Sequence, residues 1–220
     1  MIILEKEIKT EKNNKISLLT SEDFDSKAQT TLFIGVTHGE EPQGEYLINE
    51  FISRVNAQNQ SFKNNLLFIP CLNPDGKALN KRGNSNGVDI NRNFPTQNWE
   101  KSEKTSEFYS GEAPASEIET QFLVEIIENY KPDVILTLHA PYKIVNFDGP
   151  AEKLAQEISK INGYPVQSDM GYPTPGSFGT YCGVERNIPT ITLEFPEDVE
   201  CKTLWEENKD IFYLLANLSK

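Results

Sequence analysis

The sequence predicts an α/β fold with a mainly parallel sheet covered by helices on both faces, and three observations carry that expectation. Short, continuous apolar runs (TTLFIGVT, NLLFIPC, DVILTLH and IPTITLEF) read as strands buried on both sides. They alternate with segments of helical periodicity, the order expected of a doubly covered sheet. The 220 residues contain no repeat, low-complexity stretch or linker-like run, so residues 1–220 are expected to form a single domain around one large core.

Taken in order, residues 1–29 read as short strands or a hairpin, with polar turns at Asn13-Asn14 and from Ser21 to Asp25. TTLFIGVT follows as a buried strand, and Pro42 to Ala57 is helical with proline near its first turn. NLLFIPC is the next strand. From Asn73 to Ala115 periodicity vanishes among NPDG, RGNSNG, NRNFP and YSGEAP, and a loop this long is usually functional or disordered. Its aromatics Phe94, Trp99, Phe108 and Tyr109 argue for order. Ser116 followed by Glu119 makes a capping-box pattern that opens the helix EIETQFLVEIIENY, which Pro132 ends. DVILTLH is a further buried strand, KIVNF a possible neighbour and AEKLAQEISKI an amphipathic helix. Gly171 to Gly179 forms a Pro/Gly loop, IPTITLEF another strand, and the tail from Asp198 a closing helix.

Composition excludes several classes. A net charge of −12 opposes nucleic acid, whose binding needs a dense basic face. No run approaches the roughly 18 apolar residues of a membrane span, and the acids in MIILEKEIKTEKNNK are foreign to a secretory signal. Cys71, Cys182 and Cys201 lack metal-type spacing, so reduced thiols and a cytoplasmic setting are expected. Only two histidines, His38 and His139, and four arginines, Arg54, Arg82, Arg92 and Arg186, are present. Any site for an acidic ligand must be built from those few strong donors.

In parallel sheets ligands sit beyond the carboxyl ends of the strands, and three strands here end in reactive groups: His38, His139 and Glu194. His38 and Glu41, three residues apart at a strand-to-helix turn, can converge on one cation with His139 as a third ligand. Two imidazoles, a carboxylate and an open position form the pattern of a catalytic zinc site. On the residues alone the alternative stays open that both imidazoles merely bond the backbone at strand ends. Glu194 interrupts an apolar strand, and a buried carboxylate needs a cation, a water, a donor or a rim lysine beside it. Arg82 and Arg92 fall in the long loop, where guanidinium forks suit carboxylate binding or an oxyanion, while a surface ion pair is the plainer reading of either.

HGEE, NPDG, NGVDINRNFP, SEIET, LH, GYPTPGSFG and TLEFP, in this order from about Thr31 to Pro196, resemble the zinc carboxypeptidase family. The resemblance is stronger to its murein peptide amidase branch, which cuts the γ-D-glutamyl–diaminopimelate bond of cell-wall peptides. It implies a three-layer α/β sandwich with a mixed, mainly parallel central sheet, and one zinc ion per chain. It assigns His38, Glu41 and His139 as zinc ligands, Glu194 as general base and Asp89 as the acceptor orienting His38. By the same resemblance, Arg82 polarises the scissile carbonyl, Asn91 and Arg92 hold the substrate's C-terminal carboxylate, and Tyr172 closes over substrate, although a packing role is the alternative for that tyrosine.

Ser177 to Thr180 is expected to border the pocket for the leaving residue, with Gly179 keeping it roomy and no identifiable charged partner. The expected partner is a small murein tripeptide rather than nucleic acid or membrane, met in the recycling of imported wall fragments. The absence of a prosegment or secretory signal favours that setting. Alternatives are an N-acyl amino acid deacylase of the aspartoacylase or succinylglutamate desuccinylase type, and a non-catalytic peptide-binding relative.

Overall fold

The computed structural model describes residues 1–218. Eight strands form one sheet in the order β1-β2-β4-β3-β5-β8-β6-β7. They are β1 (Ile2–Lys9), β2 (Lys15–Ser21), β3 (Thr30–Ile34), β4 (Asn65–Ile69), β5 (Val134–His139), β6 (Tyr142–Asp148), β7 (Val166–Gln167) and β8 (Thr190–Pro196). The central run β4-β3-β5-β8 is parallel, whereas β1 and β2 form an antiparallel hairpin and β6 runs antiparallel to β8. Every residue of β3, β4 and β5 is buried, which is why these strands read as unbroken apolar runs.

Alternate strand residues feed two cores. Phe33, Phe68, Leu136 and Leu138 face α1 (Gln43–Gln58), α4 (Glu152–Asn162) and α5 (Cys201–Ala216). Leu32, Ile34, Leu67 and Ile135 face α3 (Ile118–Tyr130) together with Ile90, Phe94 and Tyr181 of the loops. The result is a mixed, mostly parallel eight-strand sheet with helices on both faces, as the sequence led us to expect. α1 lies unusually close to the sheet, because a Cβ on Gly44 would meet the Leu138 Cβ at 2.8 Å.

Two local expectations are corrected. The long loop carries a short helix, α2 (Pro74–Leu79), and a 3-10 turn at Ile90–Arg92. The capping box does not form: Glu117 occupies the N-cap position of α3 and its side chain makes no cap hydrogen bond. The Ser116 hydroxyl donates to Glu117 Oε1 at 2.6 Å, and Glu117 Oε2 accepts from Asn84 and Asn86 at 2.8 and 2.9 Å. The acids that read as helix caps are therefore spent on tethering the long loop.

Candidate functional site

The carboxyl ends of β3, β5 and β8 bring the reactive groups together. In the register of β5 against β8, His139 lies directly beside Glu194. Beyond β3, Val36 takes φ 51°, a region costly for a β-branched side chain, and its carbonyl accepts the Asn73 N–H at 2.9 Å. Asn73 further donates to the Thr37 and Arg82 carbonyls, both at 3.2 Å. Gly39 sits so close to Gly76 that a Cβ would lie 2.0 Å from its carbonyl carbon. The HGEE and NPDG motifs are thus two halves of one clamp that aims His38 and Arg82 into the site.

His38 Nδ1, His139 Nδ1 and the Glu41 carboxylate converge. His38 Nδ1 is 2.8 Å from Glu41 Oε1, His139 Nδ1 is 2.9 Å from Glu41 Oε2, and the two ring nitrogens are 3.2 Å apart. One ligand atom from each residue lies within 4.8 Å of the others, and all three side chains are buried. On its far side the His38 ring donates from Nε2 to Asp89 Oδ1 at 3.0 Å, which leaves Nδ1 to face the other two groups. Arg82 Nε donates to the other Asp89 oxygen at 2.8 Å.

The electrostatics favour a cation. Burial alone would lower the His38 pKa, yet the Glu41 and Asp89 carboxylates raise it to about 9. Against the same burial, His38 and His139 hold Glu41 well below the usual carboxylate range, and His38 and Arg82 do so for Asp89. Glu194 is the opposite case: burial pushes its pKa up, and its Oε2 has no hydrogen-bond partner among the described residues. Two imidazole nitrogens and a carboxylate pointing at one place, with an orphaned carboxylate oxygen nearby, fit a zinc ion bearing a water.

A cavity of about 260 Å³ opens over this cluster. Arg82, Asn91, Arg92, Tyr172 and Glu194 line it with the three candidate ligands, while Asp89 lies fully buried behind His38. Asn91 Oδ1 accepts the Phe178 N–H at 2.8 Å, so its amide donors are left for a ligand. Arg92 donates one terminal nitrogen to the Asn91 carbonyl at 2.7 Å. Tyr172, 38% exposed, lies on the cavity wall with its ring 6.4 Å from Phe108.

Sequence reasoning missed two residues here. Phe108 lies under both guanidiniums, 5.1 Å from Arg82 and 5.3 Å from Arg92; it was read only as a sign of order. Asp148 ends β6 and lines the cavity beside Ser177 and Gly179, which corrects the expectation of a pocket without an identifiable charged group. Its signal was the one that exposed Glu194, an acid closing an apolar strand, but Asp148-Gly149 reads equally as a turn.

The sequence model of the zinc carboxypeptidase family matches residues 6–157. The chain is 37% identical to murein peptide amidase A of Escherichia coli K12 over 139 residues, 58% of this chain and 57% of that protein. It is 36% identical to murein peptide amidase A of Vibrio campbellii over 159 residues, 67% of this chain and 62% of the relative. The aligned part is thus about six tenths of the length of these curated relatives. Among solved structures, murein-tripeptide amidase from Escherichia coli O157 superposes with a TM-score of 0.78 at 26% identity, covering 96% of this chain and 91% of that one. Carboxypeptidase A from Helicoverpa armigera shares the fold, with a TM-score of 0.76 at 15% identity over 98% of this chain and 68% of its own.

Proposed function

The chain belongs to the zinc carboxypeptidase family, and from that premise we propose that it hydrolyses the γ-D-glutamyl–meso-diaminopimelate bond of murein tripeptides. The observation that carries this reading is the convergence of His38, Glu41 and His139 in one cavity with the unpartnered Glu194 oxygen. A zinc ion, one per chain, would be held by those three residues and would supply an acidified water and a Lewis acid for the carbonyl.

Glu194 takes the proton of the attacking water and returns it to the leaving nitrogen, a role suited to a carboxylate whose pKa burial has raised. Arg82, aimed by Asp89, faces the oxygen on which charge develops. The free amide donors of Asn91 and the remaining guanidinium nitrogens of Arg92 grip the C-terminal carboxylate, which makes the reaction an exopeptidase cleavage. Tyr172 closes over the bound peptide from the Pro/Gly loop. In this reading the protein works in the cytoplasm, on wall peptides imported for recycling.

Incubation with L-Ala-γ-D-Glu-meso-diaminopimelate, followed by mass spectrometry with and without a chelator, tests this reading. Release of diaminopimelate that the chelator abolishes is expected. An intact tripeptide beside cleavage of an N-acyl amino acid would move the protein to the deacylases.

A further inference from the structure

Glu117 does not line the catalytic cavity, yet it touches both ends of the segment that does. Arg82, Asp89, Asn91 and Arg92 lie on one stretch of the long loop ahead of α3. At its first end, the buried Glu117 carboxylate accepts from Asn84 Nδ2 at 2.8 Å and from Asn86 Nδ2 at 2.9 Å. Asn84 in turn closes residues 83–88 on themselves: its Oδ1 accepts the Asn86 and Val88 N–H groups at 3.0 and 3.1 Å, and its own N–H donates to the Val88 carbonyl at 2.9 Å. At the far end, the Glu117 backbone N–H donates to Asn93 Oδ1 at 3.2 Å, next to Arg92.

The two ends depend on Glu117 differently. Asn93 is also tied through Nδ2 to the Ser110 and Ala113 carbonyls and the Ser116 hydroxyl, and no change of the Glu117 side chain removes its N–H. Asp89 has ties of its own, to the Tyr109 carbonyl, His38 and the Asn91 N–H. The turn between Arg82 and Asp89 is anchored to the start of α3 by Asn84 and Asn86, whose bonds end on the Glu117 carboxylate and, for Asn84, also on Glu119 Oε2 at 3.1 Å. Arg82 bridges this turn, Nε to Asp89 Oδ2 at 2.8 Å, so the spacing of its two ends sets where the guanidinium points.

We infer that Glu117 is a positioning residue for Arg82: its carboxylate, acting through Asn84, fixes the turn that aims the guanidinium at the reacting carbonyl. This rests on the proposed peptidase reading for the role of Arg82. Because Asn91 and Arg92 lie at the end held by Asn93, the effect falls on turnover and not on substrate binding.

The test measures kcat and KM on the tripeptide, per zinc-loaded chain, for the wild type, Glu117→Ala, Glu117→Gln, Arg82→Ala and the double variant R82A/E117A. Misplacing a catalytic group by about 1 Å costs up to roughly a hundredfold, so E117A is expected to lower kcat by about 10- to 100-fold with KM within about threefold. Gln keeps an acceptor for both asparagines, and E117Q is expected to bring kcat back to within about fivefold of wild type. A residue acting through Arg82 has nothing left to act on once that side chain is gone, so R82A/E117A should match R82A to within about threefold. A kcat for E117A close to wild type, an E117Q as slow as E117A, or a loss that adds in full to that of R82A overturns the inference. Glu117→Asp, which shortens the arm by a methylene, takes the place of E117A should that variant not fold. The Arg82 Nε–H resonance in a nitrogen-15 spectrum reads the same contact without turnover. Its loss in E117A and return in E117Q uphold the inference even if no peptide is cleaved and the hydrolase reading fails; an unchanged resonance in E117A overturns it whether or not the wild type is active.

Discussion

Asp89 shows how few residues organise the chemistry. Its two oxygens accept from His38 Nε2–H and Arg82 Nε–H, so one buried acid sets both the metal-facing nitrogen and the guanidinium. Arg82 is therefore held beside Glu41, with 3.8 Å between Nη1 and Oε1, and is not free to act as a surface charge. Removing an oxyanion donor of this kind costs on the order of 3 to 4 kcal/mol. Arg82→Ala is thus expected to lower kcat by a few hundredfold with little change in KM, read by steady-state kinetics at saturating zinc. A raised KM with normal kcat would instead make Arg82 a ground-state binding group. His38, His139 and Glu194 were legible in the sequence because each follows or ends a buried apolar run, and Glu41 because it stands three residues from His38; backbone-bonded imidazoles were the plainer alternative, and the convergence of His38, Glu41 and His139 is what the fold adds. Asp148 carried that signal too, but the glycine after it offered a turn as a sufficient explanation.

At the scale of elements, the strands and main helices were legible because each has a period or an unbroken apolar run. The long loop between β4 and α3 was not, because its order comes from side chains far apart in sequence. Asn93 Nδ2 reaches the Ser110 carbonyl at 2.8 Å, and Asn84 Nδ2 reaches Glu117 and Glu119 at 2.8 and 3.1 Å. A capping box was the nearest local explanation for SEIET, and it failed because those acids serve the loop. Glu119 has a measurable consequence. Burial raises its pKa to about 7, above the model-peptide value of 4.5, so the folded chain holds this proton more tightly than the unfolded chain does. Its burial penalty is absent below about pH 4.5 and is fully present above about pH 7, so stability falls as pH climbs through that window. Glu119→Gln should therefore stabilise the protein by about 1 to 3 kcal/mol above pH 7 and by little below pH 4.5. Urea denaturation at the two pH values checks this, and an equal effect at both would assign it to packing.

Across the whole molecule, the parallel core of the sheet turns separate strand ends into one site: β3 leads to His38, β5 ends in His139, and β8 places Glu194 in register beside it. Because the ligands come from distant parts of the chain, only the folded state can hold the ion, and metal binding adds to folding stability by mass action. Zinc at about 1,000 times its Kd contributes roughly 4 kcal/mol, so chelation should lower the melting temperature by several degrees in a scan. An unshifted melt would mean that the ion binds weakly or elsewhere. The account depends most on a zinc ion at His38, Glu41 and His139 with Glu194 as a base that does not hold it. The most direct measurement is zinc content by plasma mass spectrometry together with kcat on the tripeptide, for Glu194→Gln beside the wild type. We predict about one zinc per chain in both proteins and a kcat lowered by roughly a thousandfold or more in the variant. Turnover close to wild type, or loss of the zinc with Glu194, would contradict it.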